Sequence, residues 1–123
     1  MAGERVLVVD DNELNLELAQ YVLEADGFVV DRALHVDEAW ARLRACRPDI
    51  ALVDIQLPGA DGLSLVRAIK ATPDLADLPV VAFTAYAMQG DEARFRAAGC
   101  DGYLSKPIDV YRFAAAVRAY LGT

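Results

Sequence analysis

Apolar residues along this chain alternate between two spacings. Five short runs, "RVLVVD" (5–10), "FVVDRA" (28–33), "IALVDI" (50–55), "PVVAFT" (79–84) and "GYLS" (102–105), are β-branched or aromatic and bounded by turn residues. That pattern predicts strands. Between them, apolar residues recur at helical spacing. Leu14, Leu18, Val22 and Ala25 are expected to share one helical face, Val36, Ala39, Trp40 and Leu43 the next, and Leu65, Val66 and Ile69 a third. The last helix has the clearest stripe, formed by Phe113, Ala114, Val117, Tyr120 and Leu121. Residues 88 to 98 offer only Met88, Phe95 and Ala98 before Gly99 stops the helix, so this fourth helix is expected to be loosely anchored.

Five strands alternating with five helices predict an α/β fold, a doubly wound five-stranded parallel sheet. Each crossover is right-handed and lays its helix on the sheet, which places helices on both faces. In such sheets a ligand binds outside the carboxyl ends of the strands, where the strand order reverses. The first strand ends in Asp10, with Asp11 next; the third ends in Asp54, the fourth in Thr84, and Lys106 lies just past the fifth. Three carboxylates, a hydroxyl and an ammonium are thereby assigned to one edge.

Two adjacent ionised carboxylates repel and resist burial, so the pair Asp10 and Asp11 points to a bound cation. A carboxylate cluster suits a hard divalent ion such as Mg2+. Each residue also has a plainer role when taken singly. Asp10 and Asp11 serve as a strand terminus and helix cap, Asp54 opens a loop, Thr84 is a β-former and Lys106 a solvated charge. None of those roles explains why all five collect at one edge.

Composition narrows the function. A chain of 123 residues that is 55% hydrophobic is one domain's worth with an ample core. Its net charge of −7 argues against a nucleic-acid or anionic-membrane surface and favours a basic partner face. Cys46 and Cys100 lack metal or redox spacing, and no apolar signal or membrane-length stretch is present, which predicts a cytoplasmic protein with reduced thiols. Trp40 is read as core, His35 as a solvated loop residue, and both cysteines as passive small apolar groups.

The segments "VVDDNELN", "LVDIQLPGADG", "VVAFTAYAM" and "AAGCDGYLSKPID", in this order and spacing, resemble the receiver domains of two-component response regulators. The likeness covers essentially the whole chain, residues 1–123, as one receiver with no output domain. "DDNELN", "TAYAM" and "GYLSKPID" look closest to the DivK type of single-domain regulator and to receivers of hybrid histidine kinases. The resemblance implies a flavodoxin-like (βα)5 fold with strand order 2-1-3-4-5. It also implies a Mg2+ cofactor, with Mn2+ as a substitute. Asp11, Asp54 and the Gln56 backbone carbonyl would hold the ion, and Asp10 would act largely through water.

By the same resemblance Asp54 is the phosphoacceptor, taking a phosphoryl group from a histidine kinase or histidine phosphotransfer protein. Lys106 and the Thr84 hydroxyl would meet phosphoryl oxygens, and the small Ala85 would leave the group room to enter. A cis bond between Lys106 and Pro107 is expected, and Gln56 and Tyr86 would flank the pocket, the bulk of Tyr86 favouring slow hydrolysis. Thr84 and Tyr103 would form a switch that remodels the last two helices and last strand, where a downstream protein binds. Leu57 and Ala60 stand where many receivers carry methionine, which alters packing and removes no functional group. A Mg2+-dependent phosphatase is the weaker alternative, for want of a second acid and a substrate-binding cap. A phosphorylation-independent interaction module is the other.

Overall fold

A computed structural model describes residues 3–57, 60–84, 91–106 and 108–121. Its elements run β1 (Arg5–Val9), α1 (Glu13–Ala25), β2 (Val29–Ala33), α2 (Val36–Ala45), β3 (Ile50–Asp54), β4 (Gln56–Leu57), β5 (Ala60–Asp61), α3 (Gly62–Lys70), β6 (Val80–Thr84), α4 (Asp91–Ala98), β7 (Gly102–Ser105) and α5 (Phe113–Tyr120), with a 3-10 turn at Pro73–Leu75. Five strands form one sheet in the order β2-β1-β3-β6-β7, all pairs parallel. Counting only these strands, the order is 2-1-3-4-5, as the resemblance implies. The short antiparallel ribbon β4–β5 is an addition that the apolar pattern does not announce.

Local chemistry starts the helices. Asn12 Oδ1 accepts from the backbone N–H of Leu14 at 2.9 Å and Asn15 at 3.2 Å, capping α1. Asp61 caps α3 through Leu63 N–H at 2.9 Å. His35, exposed as expected, has the further role of capping α2, its Nδ1 accepting from Glu38 N–H at 3.4 Å, while Glu38 Oε1 accepts from Leu34 N–H at 2.7 Å. Gly99, at φ +108°, takes the left-handed conformation after α4 that a side chain resists.

Strand periodicity divides the core in two. Val6, Val8, Ile50, Leu52, Val81 and Phe83 pack under α1 and α5, whereas Leu7, Val9, Ala51, Val53, Val80 and Ala82 pack under α2, α3 and α4. The expected faces of α2, α3 and α5 do meet this core, with Trp40 half-buried at its margin. Within α4, Phe95 and Ala98 are buried and the side chains between them exposed; Met88 lies outside the described residues.

The face expected for α1 is right only at Val22. Leu16, Ala19, Val22 and Leu23 are buried, while Leu14 is 75% and Leu18 38% exposed and Ala25 lies in solvent. This helix carries two apolar stripes, and the one that meets the sheet is chosen by the tight turn from Asp10 to Asn12, which periodicity does not see. Cys100 is buried, whereas Cys46, at the C-cap of α2, is exposed.

The two stripes differ measurably. Leu23→Ala should cost about 2–5 kcal/mol in urea unfolding, whereas Leu14→Ala should stay within about 0.5 kcal/mol of the parent. Equal costs would contradict this orientation of α1.

Candidate functional site

Register brings the acidic residues together. Val8 lies opposite Leu52 and Val9 opposite Val53, so Asp10 and Asp54 follow as lateral neighbours with the same side-chain parity. Asp10 is fully buried and Asp54 only 4% exposed, while Asp11, two residues beyond β1, reaches solvent. Ligand oxygens of the three lie within 4.8 Å of one another.

A cation already stands between the buried pair. Lys106 Nζ lies 2.7 Å from Asp10 Oδ2 and 3.1 Å from Asp54 Oδ2. Its backbone N–H donates to the Thr84 carbonyl at 2.8 Å, extending the β6–β7 ladder by one rung and aiming the side chain across β6 to β3 and β1. The ammonium also lies 5.0 Å from the centroid of the Phe83 ring, an attractive contact at the end of β6. Thr84, the last residue of that strand, is 3% exposed.

Backbone donors hold the remaining carboxylate oxygens. Asn12 N–H donates to Asp10 Oδ1 and Gln56 N–H to Asp54 Oδ1, each at 2.9 Å, and Asn15 Nδ2 reaches Asp10 Oδ2 at 3.5 Å. Gly62 is pressed onto the end of β3: a Cβ there would meet the Asp54 carbonyl oxygen and lie 2.7 Å from Ile55 Cα. Only glycine lets α3 begin this close to the site.

Burial raises the Asp54 pKa above the usual carboxylate value, and Asp10 adds to the rise. The Gln56 N–H and Lys106 oppose it. Burial tends to lower the Lys106 pKa, but its hydrogen bond and charge contact with Asp10, aided by Asp54, raise it overall. Lys106 therefore stays charged, and burial disfavours the ionised form of Asp54.

Sequence reasoning brought Asp10, Asp11, Asp54, Thr84 and Lys106 to one edge, and the structure places them there. Gln56 lies in β4 with its side chain exposed and its N–H on Asp54. Tyr103 sits on the edge strand β7 opposite Ala82, half-buried, its ring 6.0 Å from that of Phe95. Ala85, Tyr86 and Pro107 lie outside the described residues, so the flanking pair and the expected cis bond do too. Gly62 and Asn15 were missed. "PGADG" carried a signal for the glycine, since Gly62 directly follows the capping Asp61, but nothing local marks Asn15.

The donor set fits a hard divalent ion. Its all-oxygen ligands, within 4.8 Å of one another, are close to the roughly 4.2 Å that spans an octahedral Mg2+ shell with ligands at about 2.1 Å.

Residues 6–118 match the model of the response regulator receiver domain family. The chain is 45% identical over 117 residues to the polar-differentiation response regulator DivK of Brucella anthropi, covering 95% of each chain, and 44% identical to that of Brucella ovis over the same shares. Its backbone is similar to a putative response regulator from Chloroflexus aurantiacus, with a TM-score of 0.91 at 29% identity over 98% of this chain and 99% of that one. A signal receiver domain of a histidine kinase from Syntrophus aciditrophicus is similar with a TM-score of 0.85 at 29% identity, over 97% and 90%. Chemotaxis response regulator CheY4 of Vibrio cholerae shares the fold, with a TM-score of 0.90 at 23% identity over 97% and 99%.

The charge balance predicts opposite effects at two positions. In metal-free buffer Lys106→Met should cost about 3–5 kcal/mol, because it leaves Asp10 and Asp54 buried without their counter-charge. Asp54→Asn should be stabilising near neutral pH. A folded pKa above the unfolded one means the fold prefers the protonated acid, so ionised Asp54 costs stability, and the gain from the substitution should fade as pH falls through that folded pKa. Urea unfolding across pH checks both signs.

Proposed function

Because the chain belongs to the response regulator receiver domain family, we propose that Asp54 is its phosphoacceptor, taking a phosphoryl group from the phosphohistidine of a kinase or histidine phosphotransfer protein. The supporting observation is the convergence of Asp10, Asp11, Asp54 and Lys106 at one end of the sheet, with Asp54 buried and held at Oδ1 by Gln56. In this reading residues 1–123 act as one receiver, which catalyses only its own phosphorylation and dephosphorylation.

Asp54 attacks phosphorus; the new oxygen–phosphorus bond forms as the bond to the donor imidazole nitrogen breaks, and the electron pair leaves with the imidazole. Asp11, Asp54 and the Gln56 carbonyl would hold Mg2+, and Asp10 would act through water. When bound, the ion supplies positive charge against the charge gathering on phosphoryl oxygens. Lys106, already charged, turns from Asp54 toward one phosphoryl oxygen, and the Thr84 hydroxyl donates to another.

Two surfaces suit partners. The exposed stripe of Leu14, Leu18 and Tyr21 on α1 starts beside Asp11 and is rimmed by Glu13, Glu17 and Glu24, which fits a basic, amphipathic helix of the phosphodonor. A downstream protein is assigned to α4, β7 and α5. Tyr103 leans on Phe95, one of two buried residues among the described side chains of α4, so a Tyr103 turn that follows Thr84 toward the phosphoryl group disturbs the seat of that helix. Among the described residues no helix is long and apolar enough to cross a membrane; the cytoplasm is the compartment that fits kinase and free thiols.

Intact-mass measurement after incubation with acetyl phosphate tests the reading. One phosphoryl group should be gained with Mg2+, little without it, and none in Asp54→Asn. Absence of any gain, with acetyl phosphate and with a cognate phosphohistidine donor alike, would overturn it in favour of a constitutive binding module.

A further inference from the structure

At the opposite end of the sheet from Asp54, the carboxyl ends of α2 and α3 and the 3-10 turn enclose an open groove of about 650 Å3. That volume falls within the range of about 300–1,000 Å3 typical of small-ligand sites. Leu43 and Leu75, both buried, form its floor, and half-buried Trp40 forms a wall. Arg44, Arg47 and the exposed Cys46 stand at its rim.

The charge here runs against the rest of the molecule. The chain carries a net −7, yet this groove presents two guanidinium groups. Arg44 lies over the Trp40 ring, 5.6 Å from its centroid. Arg47 is oriented by backbone carbonyls: its Nε donates to Asp74 at 3.2 Å and its Nη1 to Pro48 at 3.5 Å. Asp74 also lines the groove, but its carbonyl, not its carboxylate, holds Arg47. The ion pairs found for arginines among the described residues involve Arg5, Arg96, Arg112 and Arg118, and neither of these two. A flat apolar wall beside two cationic forks with donors to spare is the chemistry that receives a planar acid.

We propose that this groove binds a small aromatic anion, a carboxylate or sulfonate, with its ring along Trp40, Leu43 and Leu75 and its acid group between Arg44 and Arg47. The site is separate from Asp54 and needs no phosphorylation.

Trp40 is the chain's sole tryptophan and lines this groove, so its emission responds to binding there. The probe is anilinonaphthalene sulfonate, titrated into the full chain, with uncharged phenylnaphthylamine as its twin. Saturable quenching of Trp40 by the sulfonate is expected, with binding weakened about tenfold or more in the Arg44→Gln, Arg47→Gln double variant and for the uncharged twin. Iodoacetamide should alkylate Cys46 more slowly at saturating probe in the unaltered protein, a result that does not depend on how the double variant folds. Equal affinity for the twin, undiminished affinity in a folded double variant, or unprotected Cys46 would each overturn the proposal. The arginines would then serve only to offset the negative ends of α2 and α3.

Discussion

Burying two carboxylates side by side is the constraint on which this molecule turns. Parallel register between β1 and β3 puts Asp10 and Asp54 on one side of adjacent strands, at the edge of the core, where both side chains are buried. Lys106 makes the arrangement tenable. To reach them it must emerge next to Thr84 and cross β6, so the pairing of β7 with β6 is tied to the charge balance of β1 and β3. A change of charge at Asp54 on β3 is therefore coupled to the edge strand β7, two strands away.

That coupling gives the proposed switch a physical route. The strand that delivers Lys106 also carries Tyr103, and Tyr103 rests on Phe95 of α4. Because α4 buries only Phe95 and Ala98 among its described side chains, little apolar contact resists a shift of that helix. On the other side of the sheet α5 is pinned more firmly. Arg118 donates from Nε to Asp26 Oδ2 at 2.8 Å, approaches Glu4 Oε2 at 3.2 Å, and lies over the Phe28 ring. The soft element and the anchored one flank the same strand, so the proposed movement would fall on α4.

Much of this was legible in the sequence, for stated reasons. Short β-branched runs closed by Asp10, Asp54 and Thr84 identified both the strands and the edge at which they end. Which strand residues face which layer was not read there; the structure sends neighbours along each strand to opposite faces. The failures have a common cause. A hydrophobic period specifies that a helix has an apolar side, but α1 has two, and only the path of the chain through Asn12 selects Leu16 and Leu23 over Leu14 and Leu18. Similarly, the close approach of α3 to Asp54 that requires Gly62 is a three-dimensional contact with a one-residue signature. The support of Asp10 by Asn15 depends on one helical turn being seated correctly.

The central claim is that the acidic edge exists to hold a cation, and Mg2+-dependent stability tests it most directly. Binding to the folded state alone stabilises it by RT ln(1 + [Mg2+]/Kd), about 2.7 kcal/mol at a hundredfold excess over Kd. The urea midpoint should rise with Mg2+ concentration in the parent. In Asp11→Asn, whose side chain is exposed and so leaves the metal-free midpoint nearly unchanged, that rise should be lost. A midpoint indifferent to Mg2+, or one that rises equally without the Asp11 carboxylate, would contradict the account.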